Sequence, residues 1–211
     1  EAILNFLAFL GWHPIHDREI LNRDELVREF DLKRVQKAGA IFNVEKLNWL
    51  NAHYIKTAKT AELIKKLKDF VPKEWLRQKE LLRKALDIEK ERMEKLSDFK
   101  GLADFFFELP AYDLELLAWP RTAALNKEKI LANLKLLVEE ISKIFKADFN
   151  KDGLTKAIMP LTEVWGRGEL LWPLRVALSG REASPGPFEI MDVIGKEESL
   201  QRINAAIEKL K

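Results

Sequence analysis

Two histidines near the amino terminus have side chains that could bind a metal ion. His13 and His16 are three residues apart and Asp17 follows them. Two imidazoles and a carboxylate are a ligand set that zinc accepts in proteins. Pro14 interrupts any helix that would aim the two rings at one ion. The spacing therefore favours a surface loop with solvated histidines, and we expect no metal site here.

A second segment is similar to the opening of a calcium-binding loop. Residues 148–153 read Asp-Phe-Asn-Lys-Asp-Gly, which places oxygen ligands at the required early positions. Such a loop also needs a bidentate carboxylate at its twelfth position, where this chain has Met159. Asp and Asn before a helix are ordinary caps, so we interpret this segment as a helix start without bound calcium.

The sequence contains no local signature of catalysis. There is no glycine-rich phosphate loop, nucleophile elbow or HExxH helix. The chain has no cysteine, so thiolate chemistry and disulfides are excluded. The three histidines lack any pattern that would place one of them beside a nucleophile. We therefore expect no catalytic residue in this segment.

Arginines and tryptophans in the carboxyl-terminal third suggest a binding surface instead. They are Trp165, Arg167, Trp172, Arg175 and Arg181, followed by the stiff loop Ser184-Pro185-Gly186-Pro187. Unpaired RNA bases are recognised by stacking and by hydrogen bonds to their edges, which suits planar guanidinium groups. The net charge is only +2, from 36 basic and 34 acidic residues. The total charge neither indicates nor excludes a nucleic-acid partner, because what matters is clustering on one face.

The elements that must position these side chains are all predicted to be helices. Asn22 and Glu25 form a capping-box pattern, and Asn43 and Asn126 precede segments with helical apolar spacing. The longest helical pattern runs over residues 74–96, and residues 105–107, three phenylalanines, are expected in the core rather than on a base-stacking surface. We see no strand and no apolar run of membrane-spanning length. The fold class predicted is all-α.

Three segments, in order along the chain, resemble bacterial glutamyl-tRNA synthetases. The first is residues 1–12, EAILNFLAFLGW, with Arg-Glu-Ile at 18–20. The second is residues 40–55, close to the family pattern FD-x-EKL-x-W-x-N-x-x-YI, with Asn43 in place of the usual Asp. The third is Pro-Leu-Arg-Val-Ala-Leu-Ser-Gly at 173–180, continuing to Ile-Gly-Lys-Glu at 194–197. The stretch 57–165 matches only in length and helical character.

The resemblance implies a helical region that contacts tRNA. Residues 1–60 would be a stem-contact region, 61–120 a first helical subdomain of an anticodon-binding domain, and 121–211 a second. The family's HIGH motif, KMSKS-type loop and nucleotide-binding sheet are not in this sequence. The chain, which begins with Glu1, is therefore expected to be an inactive piece of a longer cytoplasmic ligase. That parent would be a monomer that joins glutamate to tRNA(Glu) using ATP and Mg in its catalytic half.

The resemblance also assigns residues that bind the tRNA anticodon. They are Arg92, Arg175, Ser184, Pro185 and Pro187. Arg175 would offer a planar fork to base edges, and the prolines would stiffen the loop. The position of Arg92 is associated in the family with rejection of glutamine tRNA, which predicts a discriminating enzyme.

Three other interpretations stay open from the sequence. A class I lysyl-tRNA synthetase has a similar helical region. A helical protein-interaction scaffold without an RNA role would explain the mixed charge of residues 73–100. An enzyme complete within this chain has no motif to support it.

Overall fold

The computed structural model describes residues 1–16, 18–36, 41–120 and 126–211. Within these ranges every extended regular element is a helix, and the only sheet-like pairing is an isolated antiparallel bridge between Trp12 and Val35. The all-α prediction is confirmed. The helices are α1 (Ala2–Phe9), α2 (Arg23–Glu29), α3 (Val44–Thr57), α4 (Thr60–Lys66), α5 (Lys73–Arg77), α6 (Lys79–Glu89), α7 (Asp98–Phe107), α8 (Lys127–Lys143), α9 (Lys151–Trp165), α10 (Arg167–Ser179) and α11 (Pro187–Leu210).

Asparagine caps begin several of these helices, as the sequence predicts. The Asn22 side chain accepts from the backbone N–H of Glu25, whose carboxylate accepts from the N–H of Asn22. The side chains of Asn43 and Asn126 accept from the backbone N–H groups of Lys46 and Lys129, which caps α3 and α8. Asn150 caps α9 by accepting from Gly153, so the calcium-like segment does serve as a helix start. Each cap satisfies a backbone donor that has no partner within its own helix.

The single helix expected over residues 74–96 is wrong. The chain instead forms α5, α6 and a short 3-10 turn at Lys90–Arg92, after which Met93 is extended with φ −90° and ψ 134°. Trp75 packs flat on the ring of Phe107 with centroids 4.1 Å apart, and the Met93 side chain is fully buried. These two residues are 18 positions apart, which is five helical turns, so a continuous helix would place both on one face and would give the same periodicity. In the structure Trp75 and Met93 belong to different compact units, so packing overrides helix propensity here.

The described residues form two compact units. The first contains residues 1–73 and 89–101, and the second contains residues 74–88 and 102–211. In the first unit α1 packs against α3, with Phe6 and Leu50 in the shared core. The buried amide of Asn5 donates to the Leu21 carbonyl and to the Tyr54 hydroxyl, at 3.2 and 2.9 Å. The predicted boundaries at residues 60 and 120 stay predictions.

The second unit is built on contacts among α8, α9, α10 and α11. Phe105 and Phe106 are buried in it, and Phe107 lies against Trp75. The three phenylalanines therefore belong to the core, as expected.

The Ile-Gly-Lys-Glu segment at residues 194–197 contains a break in α11 and a contact to α8. Gly195 has φ 81° and ψ 173°, which is not helical. Directly after this kink, the Lys196 ammonium donates to the carbonyls of Ser142 and Ile144 at 2.8 and 2.6 Å. These carbonyls end α8, where a cation is favoured by the helix dipole and by unpaired acceptors. The motif therefore joins α11 to α8.

Gly195→Ala should lower the free energy of unfolding by about 1–3 kcal/mol, because this backbone region is almost restricted to glycine. The matched control is Gly101→Ala within α7, where an added Cβ meets nothing within 4 Å. That control should be neutral or should stabilise the chain by up to about 1 kcal/mol. Urea titrations followed by circular dichroism measure both changes. Equal effects of the two substitutions would contradict this account of the kink.

Within the ranges described, no helix is both long and apolar enough to cross a lipid bilayer.

Candidate nucleic-acid interface

One pocket of the second unit contains the arginine that the sequence singles out. Its volume is about 600 Å³. Arg175 from α10 and Pro187 from the start of α11 both line it. The remaining lining residues are Trp119, Lys151, Met159, Arg167, Gly168, Leu171, Trp172, Gly186, Phe188 and Glu189. The pocket thus combines aromatic and apolar walls with three cations and one carboxylate.

Two tryptophans form the aromatic wall. The rings of Trp119 and Trp172 meet edge to face, with centroids 5.4 Å apart and planes at 62°. The Trp172 indole N–H donates to the Leu116 carbonyl at 2.8 Å, which fixes its ring. Trp119 lies so close to the backbone of Gly168 that an added Cβ there would be 2.5 Å from the indole. The position of Trp119 in this wall therefore depends on a glycine at position 168.

The cations of the pocket differ in whether they already bind another group of the protein. In the part of the chain that is described, the guanidinium groups of Arg167 and Arg175 make no hydrogen bond or ion pair. The Lys151 ammonium donates to a Glu189 carboxylate oxygen at 2.7 Å. An unpaired guanidinium beside aromatic faces can bind base edges bidentately or stack on a base. Arg175 is therefore placed to contact a ligand in this pocket.

The loop at residues 184–187 is held by its own contacts. Pro185 and Pro187 are buried, while Ser184 is half-buried and donates from its hydroxyl to the Pro185 carbonyl at 3.1 Å. Of these three residues, only Pro187 lines the pocket. The two prolines therefore shape the loop.

Glu189 connects this loop to α9. Its second carboxylate oxygen accepts from the Gly186 N–H at 2.9 Å, which caps α11. Burial acts to raise the pKa of Glu189, but hydrogen bonds from Lys151 and Gly186, together with the positive charges of Lys151 and Arg175, outweigh it and leave that pKa below its usual value. Glu189 is therefore ionised near neutral pH, with both oxygens held by donors.

Arg92 belongs to the first unit. It lies at the end of the 3-10 turn that follows α6, and its guanidinium donates to Glu89 at 2.9 Å. The Glu89 side chain is fully buried, whereas that of Arg92 is 34% exposed. A buried carboxylate thus holds one edge of the guanidinium in place and leaves its other edge toward solvent. This geometry is compatible with the predicted contact to RNA, which stays a prediction.

Two residues of the carboxyl-terminal arginine and tryptophan cluster lie outside the pocket. Arg181 pairs with Asp104 and lies over the ring of Phe105, with 5.5 Å to the centroid. Trp165, which is 47% exposed, does not line the pocket either. Arg181 therefore supports α7 rather than the candidate site.

Sequence reasoning missed seven lining residues: Trp119, Lys151, Met159, Gly168, Leu171, Phe188 and Glu189. Lys151 stands in the segment that the sequence predicts only to be a helix start. Phe188 and Glu189 directly follow the proline loop, and their adjacency to Pro187 was a usable signal. Nothing in the local sequence around Trp119 connects it to α10.

The described residues contain no group of three or more histidine, aspartate or glutamate side chains arranged to hold a metal ion. Asp17, part of the histidine segment, lies outside the described residues.

Two family models match parts of this chain. Residues 61–207 match the family model described as an anticodon-binding domain. Residues 1–49 match the model for the catalytic domain of class I tRNA synthetases for Glu and Gln. The expected stem-contact role of residues 1–60 stays a prediction.

The curated relatives carry the name of one enzyme, glutamate–tRNA ligase. Proteins named glutamate–tRNA ligase from Clostridium acetobutylicum and Solibacter usitatus are 38% and 36% identical over the whole of this chain. The chain spans 43% and 45% of their respective lengths.

Solved structures give the same result. A glutamate tRNA ligase from Elizabethkingia meningosepticum, in complex with its amino acid, superposes with a TM-score of 0.81 at 33% identity. That comparison covers all of this chain and 41% of the other. The glutamate–tRNA synthetase of Elizabethkingia anophelis gives a TM-score of 0.76 at 32% identity, over 99% of this chain and 40% of that one.

These matches define the class as an anticodon-binding domain of a class I aminoacyl-tRNA synthetase. The chain belongs to the glutamyl-tRNA synthetase family, and the lysyl alternative is disfavoured because the relatives are glutamate–tRNA ligases.

Proposed function

We propose that this chain binds tRNA(Glu) and reads its anticodon through the Arg175 pocket. The observation that carries the proposal is an unpaired Arg175 guanidinium beside a fixed pair of tryptophans. Aromatic rings stack on any base, contributing roughly 1–3 kcal/mol per base. An arginine fork adds selectivity, because it pairs only with acceptors placed correctly on the base edge. Together these groups suit an unpaired base better than duplex RNA, which is recognised through its shape and backbone.

The assigned residues have different parts in this proposal. Arg175 hydrogen-bonds a base edge, while Pro187 contributes to the pocket wall. Ser184 and Pro185 act indirectly, since they hold the loop that precedes α11. Arg92 contacts the tRNA from the first unit, and its place in the family supports a discriminating enzyme that rejects glutamine tRNA.

In a longer protein, this chain would serve the ligation of glutamate to tRNA. The match of residues 1–49 to a catalytic-domain model and the twofold greater length of the relatives support this. ATP and Mg would be bound by the remaining catalytic part, and the protein would act as a cytoplasmic monomer. This chain alone would not activate glutamate.

An exposed apolar face in the first unit also supports a longer protein. Leu4 and Leu7 of α1 are 46% and 53% exposed, and Val27 and Phe30 nearby are 75% and 48% exposed. These side chains line one open groove. Contiguous apolar surface of this kind is usually covered by another part of a protein. We infer that the rest of the catalytic domain covers it.

The test is binding of this chain to glutamate tRNA beside the same tRNA with an altered anticodon. We expect tighter binding of the native anticodon, and an affinity that falls steeply as salt rises, because phosphate contacts release counterions. Equal, weak and salt-insensitive binding of the two RNAs would support the scaffold interpretation and would remove the RNA proposal.

A further inference from the structure

The pocket combines two kinds of lining that favour different parts of an RNA. Its apolar surfaces suit an uncharged base, whereas three cations among its lining residues, Lys151, Arg167 and Arg175, would attract any phosphate. A phosphate that entered the pocket in place of a base would be bound equally well in every RNA, because phosphate contacts carry no sequence information. A pocket that reads bases needs some means of limiting this general attraction.

Glu189 is the one carboxylate among the lining residues. One of its oxygens accepts from the Lys151 ammonium at 2.7 Å and the other from the Gly186 N–H at 2.9 Å. The Lys151 backbone is fixed as well, because its N–H donates to the Asp192 carboxylate at 3.2 Å. Glu189 and Lys151 are therefore held against each other by contacts on both sides.

The capping contact alone does not require a negative charge. A glutamine at the same position could also accept from the Gly186 N–H, through a weaker, neutral hydrogen bond. Only the ionised carboxylate neutralises Lys151 and lowers the positive charge beside Arg175. The charge of Glu189 thus has a consequence separate from helix capping.

We propose that Glu189 is a specificity-determining residue, whose carboxylate occupies Lys151 so that the pocket selects an unpaired base over the phosphate backbone. This inference rests on the proposed anticodon-binding function. With Glu189 ionised, Arg175 is the cation that reads the ligand, and Lys151 contributes no general phosphate contact. Without that charge, Lys151 becomes free to bind a phosphate of any RNA.

The experiment compares the whole chain with its Glu189→Gln variant, using glutamate tRNA and the same tRNA with an altered anticodon. We expect Glu189→Gln to bind the altered tRNA more tightly, because a phosphate of that RNA can then occupy the pocket, while the native tRNA already binds through its base. The variant should therefore lose most of its preference for the native anticodon. The salt dependence should steepen by about one phosphate contact, or roughly threefold in affinity between 50 and 200 mM salt. Lys151→Met in the Glu189→Gln background should restore the wild-type salt dependence.

Two controls separate this inference from simpler explanations. Glu163→Gln makes the same change in net charge at an exposed position of α9 outside the pocket, and it should leave the preference unchanged.

If Glu189→Gln weakens binding of both RNAs and lowers the melting temperature, its role is helix capping alone and the proposal is wrong. If Glu189→Gln retains the wild-type preference while Arg175→Ala abolishes it, this inference fails and the proposed function stands. If Arg175→Ala changes nothing, the proposed function fails, and this inference fails with it.

Discussion

Replacing Arg175 by alanine is expected to abolish the preference for the native glutamate anticodon. A bidentate contact to a base edge is worth about 1–3 kcal/mol of discrimination, so the preference should fall by roughly tenfold to a hundredfold. The guanidinium makes no hydrogen bond within the described part of the protein. Its loss should therefore leave the melting temperature nearly unchanged. The measurement is the ratio of dissociation constants for the native and altered tRNAs.

Two matched variants show what kind of contact Arg175 makes. Arg175→Lys keeps the positive charge but loses the planar fork, so it should retain the salt dependence and still lose discrimination. Arg167→Ala removes an exposed cation from the same pocket and should weaken binding of both tRNAs to a similar extent. If Arg175→Ala also weakened both equally, Arg175 would be a phosphate contact, and the base-reading role would be ruled out.

Much of the fold could be predicted because its signals are local. The caps at Asn22, Asn43 and Asn126 depend on residues three positions apart, which a sequence shows directly. The break between α5 and α6 could not be seen, and the packing of α5, where Trp75 meets Phe107, joins residues 32 positions apart. Helical periodicity continues through both segments, and only tertiary packing reveals where the backbone must turn.

The candidate site also contains residues that the sequence reveals and residues that only the folded structure reveals. Arg175 and Pro187 were found because they lie in one continuous motif. Trp119 enters the pocket from a distant segment through its close packing on Gly168, and no pattern links the two in sequence. Glu189 was overlooked for another reason. A glutamate three residues after a helix start is usually explained by capping, and its second partner, Lys151, lies 38 positions away.

The largest effect on stability is expected at Arg202, whose side chain is only 4% exposed. Its guanidinium donates to the carbonyls of Phe105 and Leu178 at 2.7 and 2.8 Å. Those carbonyls lie in the last turns of α7 and α10, where acceptors have no partner within their own helix. A single cation thus completes two helix ends in the interior, and it also pairs with Glu198 at 2.7 Å.

Arg202→Met should lower the free energy of unfolding by about 2–6 kcal/mol, because it leaves two buried carbonyls without this donor at about 1–3 kcal/mol each. Arg202→Lys should lose less, because it keeps the charge but cannot reach every acceptor at once. The control is Arg83→Met, since Arg83 makes its ion pairs to Glu80 and Asp87 while 48% exposed. That change should cost at most about 1 kcal/mol. Urea unfolding followed by tryptophan fluorescence measures all three variants.

The same variants test whether the pocket depends on this buried support. Leu178 is one turn from Arg175 on α10, so loss of the Arg202 contacts should loosen the helix that carries the base-reading arginine. We therefore expect Arg202→Met, at a temperature where it is still folded, to reduce anticodon preference as well as stability. A cost as small as that of Arg83→Met would show that water replaces the guanidinium at both helix ends. The second unit would then be held by its apolar core alone.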